Sequence, residues 1–267
     1  MDLIKEFFGI GGFQRTPEGA YSWQHLTFVG SLLAVMVLAA VWLGLRNKKR
    51  DFATQNRVMI WAAILIDGLE LIKIGVSCYE SALQGDAWYA GLRTVLPLFL
   101  CSIQLIVIPL AAFAKGRLQA IAADFVALFG LLGAIFGTIG AAQNYGSYPV
   151  LSFTNMVSGF THCIAGFASL YVLIAGLSTL QKKNIAGVLA LLGFFCGAAL
   201  IANAALDYNY MFLRNHDGTP YQIFYDLVGG HPVLYPLCVI GLFVVYVLGF
   251  YAVALSIQKK KKVKTTV

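Results

Sequence analysis

A chain of 267 residues that is 59% hydrophobic and 12% charged cannot be a water-soluble globule, where charged residues make up about a quarter of the total. Its length suits one domain, residues 1–267. The formal net charge of +7 marks a nucleic-acid partner only where basic residues form a reading surface. Here they flank apolar runs instead, which excludes nucleic acid and points to the bilayer.

In chain order, Leu3–Phe13 comes first, with apolar residues at 3, 4, 7 and 8. That spacing predicts a short helix lying on the membrane surface. No basic stretch leads into an apolar core there, so no removable signal peptide is expected. Seven apolar stretches follow, at about 26–45, 58–79, 92–113, 121–142, 153–177, 185–206 and 234–257, each near the roughly 20 residues that cross ~30 Å of hydrocarbon. Each is expected to be helical, because lipid leaves exposed backbone groups unsatisfied and nothing alternates like a barrel strand. The fold class is therefore all-α, a polytopic seven-helix transmembrane bundle.

Orientation follows from Lys and Arg. Arg46, Lys48, Lys49, Arg50 and Arg57 lie in the first-to-second loop, Lys115 and Arg117 in the third-to-fourth, Lys182 and Lys183 in the fifth-to-sixth, and Lys259, Lys260, Lys261, Lys262 and Lys264 in the tail. Only Lys5, Arg15, Arg93 and Arg214 fall on the other side, with Lys73 inside a span. The positive-inside rule then puts the N-terminus outside and the C-terminus in the cytoplasm of a cell-membrane protein. The basic tail is expected against anionic headgroups. Trp23 and Trp88 are expected at the interface. Gly130, Gly133, Gly137 and Gly140 on the fourth span, and Gly193 and Gly197 on the sixth, predict close helix packing.

Ionisable groups in hydrocarbon cost at least ~2.5 kcal/mol each, so each needs a reason. With this orientation, Cys101 and His162 each lie about nine residues into their spans, roughly 14 Å below the outer edge. Glu70, Lys73, Arg93, Gln104, Asn155, Asn203 and Asp207 fall in the same outer half. Together they define an expected polar chamber and its substrate-pocket candidates. Each has a plainer reading beside it. Glu70 and Lys73, three residues apart, can neutralise each other as a structural pair, with Asp67 one turn away. His162 can be a hydrogen-bonded packing residue. Cys101 can be a packed thiol like Cys78, Cys163, Cys196 and Cys238, none of which has metal or redox spacing. Asp124 is expected to snorkel or cap. His25, His162, His216 and His231 lack ligand spacing, so neither metal nor cofactor is expected.

A thiol and an imidazole at matched depth suffice for acyl transfer. His162 takes the thiol proton and the Cys101 thiolate attacks an ester carbonyl. Lys73, Arg93 and Asn155 are the available donor types for the oxyanion.

Several strings carry a family resemblance. Residues 96–103 read Leu-Pro-Leu-Phe-Leu-Cys-Ser-Ile, followed by Pro109-Leu110. Residues 209–214 read Asn-Tyr-Met-Phe-Leu-Arg, and then come Asp226-Leu227-Val228-Gly229, His231-Pro232 and Tyr235. These strings resemble the YwaF-type bacterial integral membrane proteins over nearly the whole chain. The resemblance implies seven helices and a distant similarity to a eukaryotic transmembrane acyltransferase family acting on ether phospholipids, in which a helix cysteine is the proposed acyl carrier. Carried over, that role falls on Cys101, with His162 as base. The bacterial motif usually has His where Phe99 stands here.

Two functions follow as expectations. One is a lipid acyltransferase or hydrolase whose partners are membrane lipids and whose substrate is a phospholipid or acyl group. The other is a transporter or small-molecule binding protein using the Glu70, Lys73 and Asp207 layer. A retinal protein needs a Schiff-base lysine in the last span, and 234–257 has none. Oligomeric state is not legible in the sequence.

Overall fold

The computed structural model describes residues 2–265. The side chains of Trp88, expected at the interface, and of the tail lysines Lys261, Lys262 and Lys264 lie outside the described residues. All regular elements among the described residues are helices. They are α1 (Asp2–Phe8), α2 (Trp23–Asn47), α3 (Phe52–Leu83), α4 (Leu92–Val95), α5 (Gln104–Phe113), α6 (Gly116–Thr138), α7 (Ala142–Ser147), α8 (Phe153–Ala175), α9 (Ile185–Leu206), α10 (Gln222–Leu227) and α11 (Leu234–Thr265). Among the described residues, five segments are long and apolar enough to cross a bilayer: Trp23–Asn47, Gly116–Ser147, Phe153–Ala175, Lys182–Leu206 and Leu234–Lys260. The 32-residue α3 has the length but carries Asp67, Glu70 and Lys73, and α5 is a shorter apolar helix.

Helix starts follow local chemistry. Ser22, Asp51 and Ser152 are extended N-caps whose side chains accept the N–H groups of His25, Thr54 and Asn155. Gly176, at φ 90°, ends α8 in the left-handed conformation that glycine adopts without strain.

The chain forms two compact units. The first comprises Met1–Pro97 and Gln104–Ser178, and its centre is the packing of α6 against α8, with α2, α3 and α5 around them. Glycine makes the α6–α8 approach close. A Cβ on Gly130 would stand 2.4 Å from the Ala165 carbonyl oxygen, and one on Gly166 would stand 2.6 Å from the Ala134 Cβ. Ser169 Oγ donates to the Ala127 carbonyl at 2.8 Å across the same seam. Three expectations need correcting here. A Cβ on Gly193 or Gly197 would meet nothing within 4 Å, and one on Gly140 meets only its own helix at Phe136, so these glycines admit no neighbour. Asp124 does not snorkel; it is buried and accepts from Ser178 Oγ at 2.7 Å. In the surface helix, Leu3 and Ile4 are exposed as expected, whereas Phe7 and Phe8 pack their rings on Phe153.

The second unit comprises Leu98–Ile103 and Thr179–Val267. Among the described side chains of α11, Tyr235, Val239, Phe243, Val247 and Tyr251 are buried at every fourth position, a single helical stripe, with Pro236 buried beside its start. Towards the C-terminal end of α11, Gln258 Nε2 donates to the Thr179 carbonyl at 2.7 Å.

The stretch expected as one span over 92–113 is interrupted. Helix α4 stops at Val95, and regular helix resumes only at Gln104. Pro97 has no N–H to give and pushes the preceding Leu96 out of the helical region, to φ −60° and ψ 137°.

Candidate functional site

Cys101 lies inside this interruption. Non-helical backbone at membrane depth is tolerated only where its polar groups are satisfied by protein, and Ser102 provides for that. Its Oγ accepts the Phe99 N–H at 3.0 Å and donates to the Phe99 carbonyl at 3.1 Å. The Ile103 N–H bonds the same carbonyl at 2.9 Å. Cys101 is half-buried within this turn. Phe99 packs its ring against Tyr208, Tyr210 and Phe212 at 6.3, 5.7 and 5.7 Å. Tyr221 packs tilted against Phe212 and edge-on against Phe243. Burial pushes its phenol above the ordinary value of 10.0, and Cys101 adds to the rise, so the two lie within electrostatic reach.

The Asn209–Arg214 string turns out to be a brace for Phe99. Asn209 is its hub: Nδ2 donates to Asn215 and Asp217, while Oδ1 accepts the N–H groups of Arg214 and Asn215. Met211 and Phe212 both sit at left-handed φ, 55° and 56°, a conformation that costs about 1–3 kcal/mol per residue unless its surroundings hold it. They are held. Asn203 clamps the Tyr210 backbone from both sides, Oδ1 accepting its N–H at 2.5 Å and Nδ2 donating to its carbonyl at 3.1 Å. Tyr235 donates its hydroxyl to the Phe212 carbonyl at 2.8 Å. His231 Nδ1 accepts the Val233 and Leu234 N–H groups at the start of α11.

His162 belongs to the first unit, on α8. Its Nδ1 lies 2.6 Å from the Ser158 carbonyl oxygen. A carbonyl can only accept, so Nδ1 carries the hydrogen, and Nε2 is the nitrogen with the lone pair in the neutral ring. The ring lies flat where α6 has no side chain: a Cβ on Gly137 would stand 1.8 Å from Cδ2 and 2.1 Å from Nε2. Sequence reading missed Ser158 and Gly137 as orienting partners, although the four-residue spacing of Ser158 and His162 on one helix carries the signal.

The remaining candidates separate by their partners. Glu70 is buried and takes a hydrogen bond from Lys73 Nζ at 2.7 Å, so these two form an ion pair. Asn155 donates both amide hydrogens to the Tyr148 and Pro149 carbonyls, locking the turn before α8. Asp207 is exposed and paired with Arg214. Arg93 is exposed beside the α4 turn. Gln104 is fully buried, and neither amide atom has a hydrogen-bond partner among the described residues. His25 is a buried structural residue. It stacks on Tyr145 at 3.8 Å, accepts the Tyr21 N–H at Nδ1 and donates from Nε2 to the Thr138 carbonyl.

Long apolar helices, ionisable side chains met by partners inside them, and basic loops between them define an all-helical integral membrane protein. Its sequence matches the profile of the TMEM164 family over residues 20–256, nearly the whole chain, and the protein belongs to that transmembrane family. No curated protein and no solved structure matches.

Proposed function

We propose that this protein is a membrane lipid acyltransferase of the cell membrane, with Cys101 as acyl carrier and His162 as its base. The accompanying topology is one domain that crosses the bilayer seven times, N-terminus outside and C-terminus in the cytoplasm. In the reaction, His162 Nε2 takes the proton from Cys101 Sγ, and the sulfur attacks the ester carbonyl of a phospholipid. The C–S bond forms, the C–O bond breaks, and the lysolipid oxygen leaves with the proton held by His162. A second lipid hydroxyl then attacks the thioester. Its proton passes to His162 and then to the departing sulfur, and no oxidant or cofactor is consumed.

The observation that carries this reading is the His162 ring. The Ser158 carbonyl fixes its tautomer so that the basic nitrogen is Nε2, and Gly137 gives the ring its place. A general base is oriented in this way, with its lone-pair nitrogen set by the bond the other nitrogen makes. Support also comes from Cys101, which stands in a braced interruption rather than in a regular helix. The YwaF-type strings add the implied acyl-carrier role. The ion pairs of Glu70 with Lys73 and of Asp207 with Arg214 take up charges that a transport path would need.

Acyl exchange between phospholipid and lysophospholipid in proteoliposomes tests the reading. Cys101→Ala is expected to abolish exchange, and His162→Ala to slow it by roughly 10²–10⁴-fold. Full activity in Cys101→Ala, or solute uptake without exchange, defeats it.

A further inference from the structure

His231 is exposed in the turn between α10 and α11 and caps the start of the last helix. Its carbonyl accepts the Tyr235 N–H at 3.0 Å, and Pro232 follows at a position where a starting helix needs no N–H. The next two N–H groups, of Val233 and Leu234, are met by the His231 ring, whose Nδ1 accepts them at 3.2 and 3.3 Å. His216 is its counterpart in the loop before α10, with Nδ1 accepting the Gly218 N–H at 3.1 Å. A ring nitrogen that accepts carries no hydrogen, so both imidazoles are neutral with the hydrogen on Nε2.

The capped end also anchors the brace on Phe99, within the second unit. Tyr235, four residues beyond His231, donates its hydroxyl to the Phe212 carbonyl. The Phe212 ring packs in turn on Phe99, in the turn that holds Cys101.

We infer that His231 is an acid-sensitive latch on the turn that carries Cys101, closed while its ring is neutral. Taking up a proton puts hydrogen on Nδ1, and an imidazolium accepts no hydrogen bond. The new positive charge also faces the N-terminal end of α11, which the helix dipole already makes positive. Both effects have one sign. The cap is whole with the neutral ring and is lost as pH falls through the range in which histidine gains its charge, about pH 8 to 5. Among the described residues neither histidine is in an ion pair. Asp207 and Arg214 hold each other, and Asp217 accepts from Asn209. Asp217, Tyr221 and Tyr225 lie within electrostatic reach of Tyr235, and Tyr225 meets the His216 ring edge-on at 5.2 Å. Of the helices packed on α11, α10 adds Asp226 and α9 the buried Cys196. No carboxylate is therefore bonded to the His231 ring to hold its charged form. The latch lies wholly within the second unit and needs no step of acyl transfer.

Hydrogen exchange of the full-length protein in detergent micelles, read by mass spectrometry and corrected for the intrinsic effect of pH, tests the latch segment by segment. A melting temperature would mix in His25, another neutral ring whose Nδ1 accepts a backbone N–H. Between about pH 7.5 and pH 5, wild-type protection over 233–237 is expected to fall roughly 2- to 30-fold, the worth of one helix cap. Protection over 99–103 and 210–213 is expected to fall with it. His231→Asn keeps a capping acceptor that takes up no proton, so protection there holds at both pH values, while the 216–221 turn still loosens in acid. His231→Ala is expected to show the acid level of protection over 233–237 already at about pH 7.5. Wild-type protection over 233–237 that ignores pH overturns the latch, as does an equal acid loss in His231→Asn. A loss confined to 233–237, with 99–103 still protected, overturns its hold on the Cys101 turn.

Discussion

The imidazole of His162 occupies the space that a side chain at Gly137 would fill, so one added methyl group tests its setting. Gly137→Ala puts a carbon 1.8 Å from His162 Cδ2. Overpacking of that kind costs about 1–3 kcal/mol, and relief requires the ring to leave the Ser158 carbonyl. The expected result is a lowered thermal transition together with loss of acyl exchange, whereas Gly193→Ala, with open space around its Cβ, leaves both unchanged. At this scale the sequence separates residue types but not their partners. Asn155, Asn203 and Gln104 read alike as amides within spans. In the fold, Asn155 locks a turn and Asn203 clamps Tyr210, while Gln104 is left unmet. Nothing local distinguishes them, because each outcome depends on which carbonyl the chain brings within reach.

Among the elements, the apolar helices were the most legible feature. Runs of about 20 apolar residues permit little else in lipid. The interruption at 96–103 was not legible, and a comparison of two prolines shows why. Pro97 and Pro109 fall in the same expected span, yet Pro109 stays inside α5 while Pro97 stands where helix is lost. The difference lies in Ser102, which satisfies the Phe99 backbone, and in aromatic residues more than 100 positions away that hold the Phe99 ring. Helix α3 offers a pH test of local capping. The Thr54 hydroxyl, and then its N–H, hold the Asp51 carboxyl below its ordinary value of 3.8. A depressed carboxyl contributes stability above its ordinary value and loses it as pH falls through the lowered one. Asp51→Ala should therefore lower the melting temperature at about pH 7, with the gap to wild type closing as pH falls below the ordinary carboxylate value of 3.8. A gap independent of pH contradicts the charged cap.

For the whole molecule, the proposed orientation places the basic loops in the cytoplasm. A membrane-impermeant maleimide added to intact cells is expected to label Asp217→Cys and to spare Lys49→Cys; the reverse pattern inverts the topology. The broken segment that carries Cys101 and the helix that carries His162 then both enter lipid from outside. The pairing of those two side chains is the claim on which the acyl-transfer reading depends, and it can be measured directly. A thiol paired with an imidazole ionises at lower pH than one without, so the rate of Cys101 alkylation by iodoacetamide, followed against pH by mass spectrometry, reports the pair. The predicted result is a profile that moves to higher pH in His162→Ala. Coincident profiles, in a variant that keeps the wild-type thermal transition, would contradict it.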